Sequence, residues 1–334
     1  MPSPSPLIVF DHLPNKQFLP GEQVTGYVLI ENHEPRCARS VKLSWKGTTG
    51  TRGCHRAQDG NSVQQDFRRN VFRREQLLWT SEDGKNQMPV GSHKYIFSYI
   101  LPNDCPPTLH TSTAVNQYKL KVVIDRPWKF SQQVEKEFLV TNKLANGIST
   151  SASKLSWIFK SGIIFNQGPI EVKLHMPTKI LRPGQDAQFH ITLTNHSTAT
   201  LRRIELLLFK RLHAHARPQH NPCQGDSCPL NSNDYRTSHR QIGGKVALKL
   251  SLAPNTTECY NMLFSIPNEL MTPSFSTGLM SLGYYFQLRV KHSWATCSYS
   301  TINVYIGGKA EEARPVKFKE REALKNIPPP AYTP

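Results

Sequence analysis

The sequence predicts an all-β protein built as two tandem immunoglobulin-like antiparallel β-sandwiches with a short disordered C-terminal tail. Three observations predict it. Apolar residues recur with period two, one half of the chain repeats the other, and turn-forming glycine (19) and proline (25) are plentiful. No long stretch shows helical spacing. A chain of 334 residues suits two domains, each large enough to bury a core.

The alternation is clearest in "AQFHITLT", where Ala187, Phe189, Ile191 and Leu193 interleave with Gln188, His190, Thr192 and Thr194. Such a row places one face inward and the other in water, as in a half-buried antiparallel strand. "YKLKVVI" repeats the pattern with Tyr118, Leu120, Val122 and Ile124. "IEVKLHM" does so with Ile170, Val172, Leu174 and Met176, and "YYFQLRV" with Tyr284, Phe286, Leu288 and Val290. Val41, Leu43 and Trp45 make a shorter row.

The repeat is in phase with this pleat. "FLPGEQVTGYVLIENH" (Phe18 to His33) lies over "LRPGQDAQFHITLTNH" (Leu181 to His196) without a gap, at an offset of 163 residues. The same offset carries Val41, Leu43 and Trp45 onto Ile204, Leu206 and Leu208. Further on, "FSYILPN" faces "FSIPN", and Tyr118 faces Tyr284, each at the head of a long strand. Strands persist while loops vary, so a drift of three residues is expected of one sandwich used twice. The expected units are 1–143 and 165–308, joined by a polar linker at 144–164 that includes "NKLANGISTSASK" and followed by a tail at 309–334. The apolar run "LSWIFKSGIIF" (Leu155 to Phe165) reads as an entering strand of the second sandwich rather than a membrane-surface segment.

Charge and cysteine use narrow the setting. The net charge is +17, which favours an acidic partner and is silent about fold. "MPSPSPLIVFDH" has no basic n-region, and no stretch nears the roughly 18 apolar residues of a membrane span. Seven scattered cysteines suit reduced thiols, so a cytoplasmic protein is expected. In that setting Asn195-His-Ser and Asn255-Thr-Thr read as chance glycosylation sequons. The chain lacks a recognition helix and an RNP-like aromatic pattern, so nucleic acid is not an expected partner. It also lacks the nucleophile-elbow, P-loop, H-E-x-x-H and dinucleotide-binding motifs, so no catalytic residue is expected.

Two constellations stand out. "RLHAHARPQHNPCQGDSCPLNSNDYRTSHR" crowds His213, His215, His220, Cys223, Cys228 and His239 into what reads as one loop. These are zinc ligand types, but no second cysteine pair follows. The expectation is therefore a polar hairpin loop with no metal, His213, His215, His220, Cys223 and Cys228 being the candidates otherwise. The second lies between Thr48 and Arg74, where Arg52, Arg56, Arg68, Arg69, Arg73 and Arg74 are the candidates for contact with an acidic partner. A solvated loop and an anionic-surface contact are equally good readings of that run.

Several stretches resemble the arrestin family. "FLPGEQVTGYVLIEN" is similar to the opening of an arrestin N-terminal domain, and "SGIIFNQGPIEVKLHMPTKILRPGQ" and "INVYIGG" to the start and last strand of a C-terminal domain. "YIFSYILPNDCPPTLHTSTAVNQYKLKVVIDRPWKF", with its "DRPWKF" element, resembles the α-arrestin branch, the arrestin domain-containing proteins. The resemblance runs over about residues 5–308 and implies the arrestin fold of two sandwiches. "LIVFDH" holds no equivalent of the lysine pair with which visual and β-arrestins read phosphates.

The resemblance gives meaning to "PPAY", Pro329 to Tyr332. Consecutive prolines hold φ near about −65° and preform a polyproline II helix. WW grooves bind such a helix with little entropy left to lose, and the tyrosine supplies a flat amphipathic anchor. Pro329, Pro330 and Tyr332 are thus the expected WW-binding residues. The resemblance implies an adaptor without a cofactor. It would link membrane cargo, receptors or transporters held by their cytoplasmic tails, to a WW-containing HECT-type ubiquitin ligase, promoting ubiquitination, endocytosis and sorting. Its place would be peripheral, at the plasma membrane and endosomes, with an anionic membrane surface as a further contact. The alternative is an arrestin-fold trafficking scaffold or redox-linked regulator that recruits no ligase.

Overall fold

The computed structural model describes residues 4–52, 66–82, 84–142, 153–160, 168–218, 222–223, 225–230, 234–268, 271–291 and 297–307. In chain order the first half contributes β1 (Leu7–Phe10), β2 (Gln17–Phe18), β3 (Gln23–Asn32), β4 (Arg36–Cys37), β5 (Ser40–Thr51), β6 (Phe67–Thr80), β7 (Gln87–Met88), β8 (Gly91–Ile100), β9 (Leu109–His110), β10 (Ala114–Asp125) and β11 (Gln132–Val140). The second contributes β12 (Ser153–Lys160), β13 (Pro169–Met176), β14 (Ile180–Leu181), β15 (Asp186–Asn195), β16 (Leu201–His215), β17 (Tyr235–Leu252), β18 (Thr256–Ser265), β19 (Phe275–Ser276), β20 (Met280–Lys291) and β21 (Cys297–Ile306). Among the described residues the one helical turn is Gly225–Ser227.

Each half packs two sheets face to face, and the strand orders correspond. The first body pairs β1-β3-β8 with β2-β11-β10-β5-β6, and the second pairs β12-β13-β15-β18 with β14-β21-β20-β16-β17. In both, a two-residue strand joins the last long strand in parallel, β2 on β11 and β14 on β21. The small pair β4-β7 belongs to the first body alone.

The alternating rows become the two cores. Val41, Leu43, Trp45, Tyr118, Leu120, Val122 and Ile124 are buried in the first body. Phe189, Ile191, Leu193, Ile204, Leu206, Leu208, Tyr284, Phe286 and Leu288 are buried in the second. Removing such side chains from water stabilises by about 1.5–3 kcal/mol each.

Equivalent residues do equivalent work. Gly21 and Gly184 both take φ +80°, each beside an asparagine side chain, Asn103 or Asn268. Their N–H groups donate to Leu101 O and Ile266 O, both at 3.0 Å. Positive φ is open to glycine at no steric cost, which explains the shared Pro-Gly. The Tyr118 hydroxyl donates to Pro106 O at 2.5 Å, and the Tyr284 hydroxyl to Thr272 O at 2.8 Å. Both bonds reach back twelve residues, tying the proline-containing loop to the head of the long strand.

The linker expectation changes, and the chance reading of one sequon gains a structural reason. β12 lies inside the segment 144–164 that composition assigned to a linker, and it pairs antiparallel with β13 over Ser153 to Lys160. The apolar run that begins at Leu155 and reads as an entering strand lies largely in β12, so the strand begins inside the stretch whose small polar residues read as linker, and it satisfies the open edge of β13. Asn195, in a sequon, is fully buried. Its Nδ2 donates to Ala199 O at 2.8 Å and Leu252 O at 3.0 Å, and its Oδ1 accepts from Ser197 Oγ at 2.6 Å. The side chain holds a turn.

Candidate functional site

The two bodies meet at one end of each sandwich. Thr51 Oγ1, at the end of β5, donates to His215 O at 2.8 Å, and Thr272 Oγ1 donates to Thr108 O at 3.4 Å. Leu109 and Ala114 of the first body are buried in the core cluster of the second. A crevice of about 550 Å³ lies along this joint, with Cys105, Pro106 and Asn142 on one wall and Arg211, Cys223 and Ser276 on the other. Burial pushes the Cys105 thiol up to about 12, with Asp104 adding to the effect, so it stays neutral at physiological pH.

The arginine-rich run is part of a hairpin. β5 and β6 pair from Ser40↔Thr80 to Thr51↔Phe67. Arg68, Arg69, Arg73 and Arg74 sit on β6 with exposed side chains. β6 is the end strand of its sheet, so the charges also guard an open edge. Arg73 pairs with Glu75 at 2.7 Å, and Arg74 stands 5.9 Å from the Tyr99 ring centroid. On the outer face the register aligns Arg73, Lys46 and Lys119 across β6, β5 and β10, and Lys119 is met by Glu135 at 3.2 Å and Glu137 at 3.4 Å. Arg52 follows β5, its N–H donating to Thr113 O at 2.8 Å. Arg56 lies outside the described residues, as do Pro329, Pro330 and Tyr332.

The histidine–cysteine group is divided by the structure. His213 and His215 are not loop residues: they end β16 and are buried, at 2% and 0% exposure. Alternation puts both on the same face of the strand. Cys223 and Cys228 come from the connection between β16 and β17 and fold back over that face. Cys223 N–H donates to Thr277 O at 2.8 Å, and Ser276 Oγ donates to Cys223 O at 2.7 Å. His215 Nε2 then lies 3.3 Å from Cys223 Sγ and 3.4 Å from Cys228 Sγ. Burial pushes the Cys223 thiol up, partly offset by its contacts with the Gly225 backbone and the Ser281 hydroxyl, to which the thiol donates. His220 lies outside the described residues.

His239 is separate from this group. It is on β17, with Nδ1 3.1 Å from Tyr285 Oη. Tyr285 also stacks on Phe209 at 5.2 Å, 8° from parallel, with Arg211 5.9 Å from its centroid. Burial lowers the His239 pKa, helped by Arg211, and raises that of Tyr285. The sequence reading named neither Arg211 nor Tyr285. The signal available was their place in alternating rows, but which face of those rows is covered depends on the loop.

The family is decided by two matches that together span both bodies. The profile of the "Arrestin (or S-antigen), N-terminal domain" matches residues 7–146, and that of the "Arrestin (or S-antigen), C-terminal domain" matches residues 166–310. The chain belongs to the arrestin family. Its similar relatives carry names of the α-arrestin type. Arrestin domain-containing protein 17 of Caenorhabditis elegans is 28% identical over 143 residues, 40% of this chain and 33% of that protein. Arrestin domain-containing protein B of Dictyostelium discoideum is 24% identical over 206 residues, 57% of this chain and 30% of that protein. Human arrestin domain-containing protein 4 is 26% identical over 183 residues, 50% of this chain and 44% of that protein. The match therefore spans less than half the length of each of these relatives. Within the arrestin body, no helix among the described residues is long and apolar enough to cross a membrane.

Proposed function

We propose that this arrestin is an adaptor that carries a WW-domain ubiquitin ligase to membrane-protein cargo. The observation that carries the reading is the joining, in one chain, of an arrestin body with a Pro-Pro-Ala-Tyr segment at Pro329 to Tyr332. The body offers surfaces for cargo, and the polyproline segment offers the kind of ligand that WW grooves take. Ubiquitin transfer would belong to the HECT-type ligase, and sorting of the cargo by endocytosis would follow. The working place would be the cytoplasmic face of the plasma membrane and endosomes.

Calorimetry of the full chain against a tandem WW fragment tests the ligase link. The wild-type chain is expected to bind, and Tyr332→Ala to weaken binding by at least about tenfold, roughly 1.4 kcal/mol. Equal binding by both proteins would remove the ligase and leave a trafficking scaffold.

The exposed arginines of β6 supply a basic edge for an acidic cargo tail or an anionic leaflet. A double Arg68→Glu, Arg69→Glu chain is expected to lose about 1 kcal/mol per removed positive charge in binding vesicles that contain phosphatidylserine, and the loss should shrink as salt rises. Unchanged vesicle binding would reduce these arginines to guards of the sheet edge.

A further inference from the structure

We infer that His213, His215, Cys223 and Cys228 form a tetrahedral binding site for a divalent cation of the zinc class. One ligand atom each from His213, His215 and Cys228 lie within 4.8 Å of one another. Cys223 Sγ stands outside that trio but 3.3 Å from His215 Nε2, placed to complete the set. Zinc bonds of about 2.3 Å to sulfur and 2.0–2.1 Å to nitrogen place tetrahedral N and S ligands about 3.6 Å apart. The two N–S distances at His215, 3.3 and 3.4 Å, are close to that edge. Two imidazoles and two thiols are a common ligand set of structural zinc sites.

The surroundings aim the ligands. Both imidazoles are anchored through Nδ1, His213 on Thr237 Oγ1 at 2.8 Å and His215 on Gly278 O at 3.3 Å. Such outer bonds set the ring orientation of metal-bound histidines and leave Nε2 to ligate. The cysteines are separated by four residues, within the spacing of structural zinc loops. Between them Gly225 takes φ +59°, and the Gly225–Ser227 turn is closed by Cys228 N–H donating to Gly225 O at 3.1 Å. That turn brings the second thiol round to the first.

The site has a mechanical place in the molecule. Two ligands come from β16 and two from the connection that covers it, so the cation would fasten that connection to the sheet. The carbonyl of His215 accepts the Thr51 hydrogen bond from the first body. A ligand residue thus also forms part of the joint between the bodies, and the metal would stiffen that joint.

The full chain, with any affinity tag removed, is purified under reducing conditions without chelator and analysed by elemental mass spectrometry. One zinc per chain is expected. Cobalt substitution should give thiolate-to-metal charge transfer and the intense visible bands of a tetrahedral ion. Cys228→Ser should lose stoichiometric metal, whereas Cys297→Ser, at the exposed start of β21, should keep it. If Cys228→Ser fails to fold, the cobalt spectrum and the thiol count of the wild-type chain decide. A folded wild-type chain that takes up no zinc when it is supplied, a cobalt spectrum without thiolate bands, a Cys223–Cys228 disulfide found by peptide mapping, or full metal retention in Cys228→Ser would each overturn the proposal.

Discussion

Trp45→Ala is expected to destabilise the first body by about 3–5 kcal/mol, the range for deleting a large buried aromatic side chain. Trp45 is 1% exposed, on β5 at the centre of its sandwich. Its ring meets Phe97 edge-on at 5.3 Å and Tyr99 at 5.0 Å, with Phe138 at 6.2 Å. These partners come from β8 and β11, so the tryptophan joins both sheets. Truncation would remove the apolar burial and leave a cavity that the surrounding strands cannot collapse to fill. Urea unfolding followed by circular dichroism should show an earlier transition for the first body. A loss below about 1 kcal/mol would mean that the core repacks freely there.

Glu205→Gln is expected to cost the second body about 2 kcal/mol at neutral pH, the scale of a charge-assisted buried interaction. The Glu205 side chain is 2% exposed and is surrounded by Arg203 at 2.9 Å, Lys245 at 3.4 Å and Lys291 at 3.7 Å. Burial by itself would raise the carboxyl pKa, but Lys291, Lys245 and Arg203 together hold it below its ordinary value. A depressed folded pKa means that the unfolded chain binds the proton more readily. The stabilisation is therefore complete above the ordinary value of 4.5 and disappears as pH falls below it through the folded value. The glutamine chain should lack that part of the acid sensitivity. Parallel acid-unfolding curves for the two proteins would count against the ion cluster. The cluster joins β16, β17 and β20, and it is invisible in sequence because Lys245 and Lys291 reach Glu205 only through strand register.

The duplication was legible because its marks are local. A Pro-Gly turn, the alternating row after it and the asparagine that closes the row all lie within sixteen residues, and the same phrase occurs twice. The paired strand orders, the matched glycines at φ +80° and the two tyrosine hydrogen bonds show that phrase acting as one structural unit in both places. The apolar run from Leu155 was legible as the entering strand that β12 supplies, whereas its start at Ser153 was not, since pairing to an open edge uses backbone groups that every residue type carries.

The histidine–cysteine group shows the opposite case. "LHAH" already held the alternation that sets His213 and His215 on one face, but the surrounding prolines, glycines and polar residues read as loop. Burial of that face depends on where Cys223 and the Gly225–Ser227 turn come to rest, Cys223 bonding Thr277 and Ser276, and no local pattern encodes where a long loop lands.

By itself, the sequence determined strand character, the twofold use of one sandwich, the alternating rows at the centre of both cores and the Pro-Pro-Ala-Tyr segment. Each follows from the period-two pleat, from the φ preferences of proline and glycine, or from a short linear motif, all of which act between near neighbours. Only the tertiary structure decided that His215 would meet two thiols, that Glu205 would gather three cations and that the two cores would touch at Leu109 and Ala114. Those contacts form only where sheet register and loop closure bring side chains from different elements into one place, whether a short loop separates them, as for His215 and the thiols, or most of a domain, as for Glu205 and Lys291.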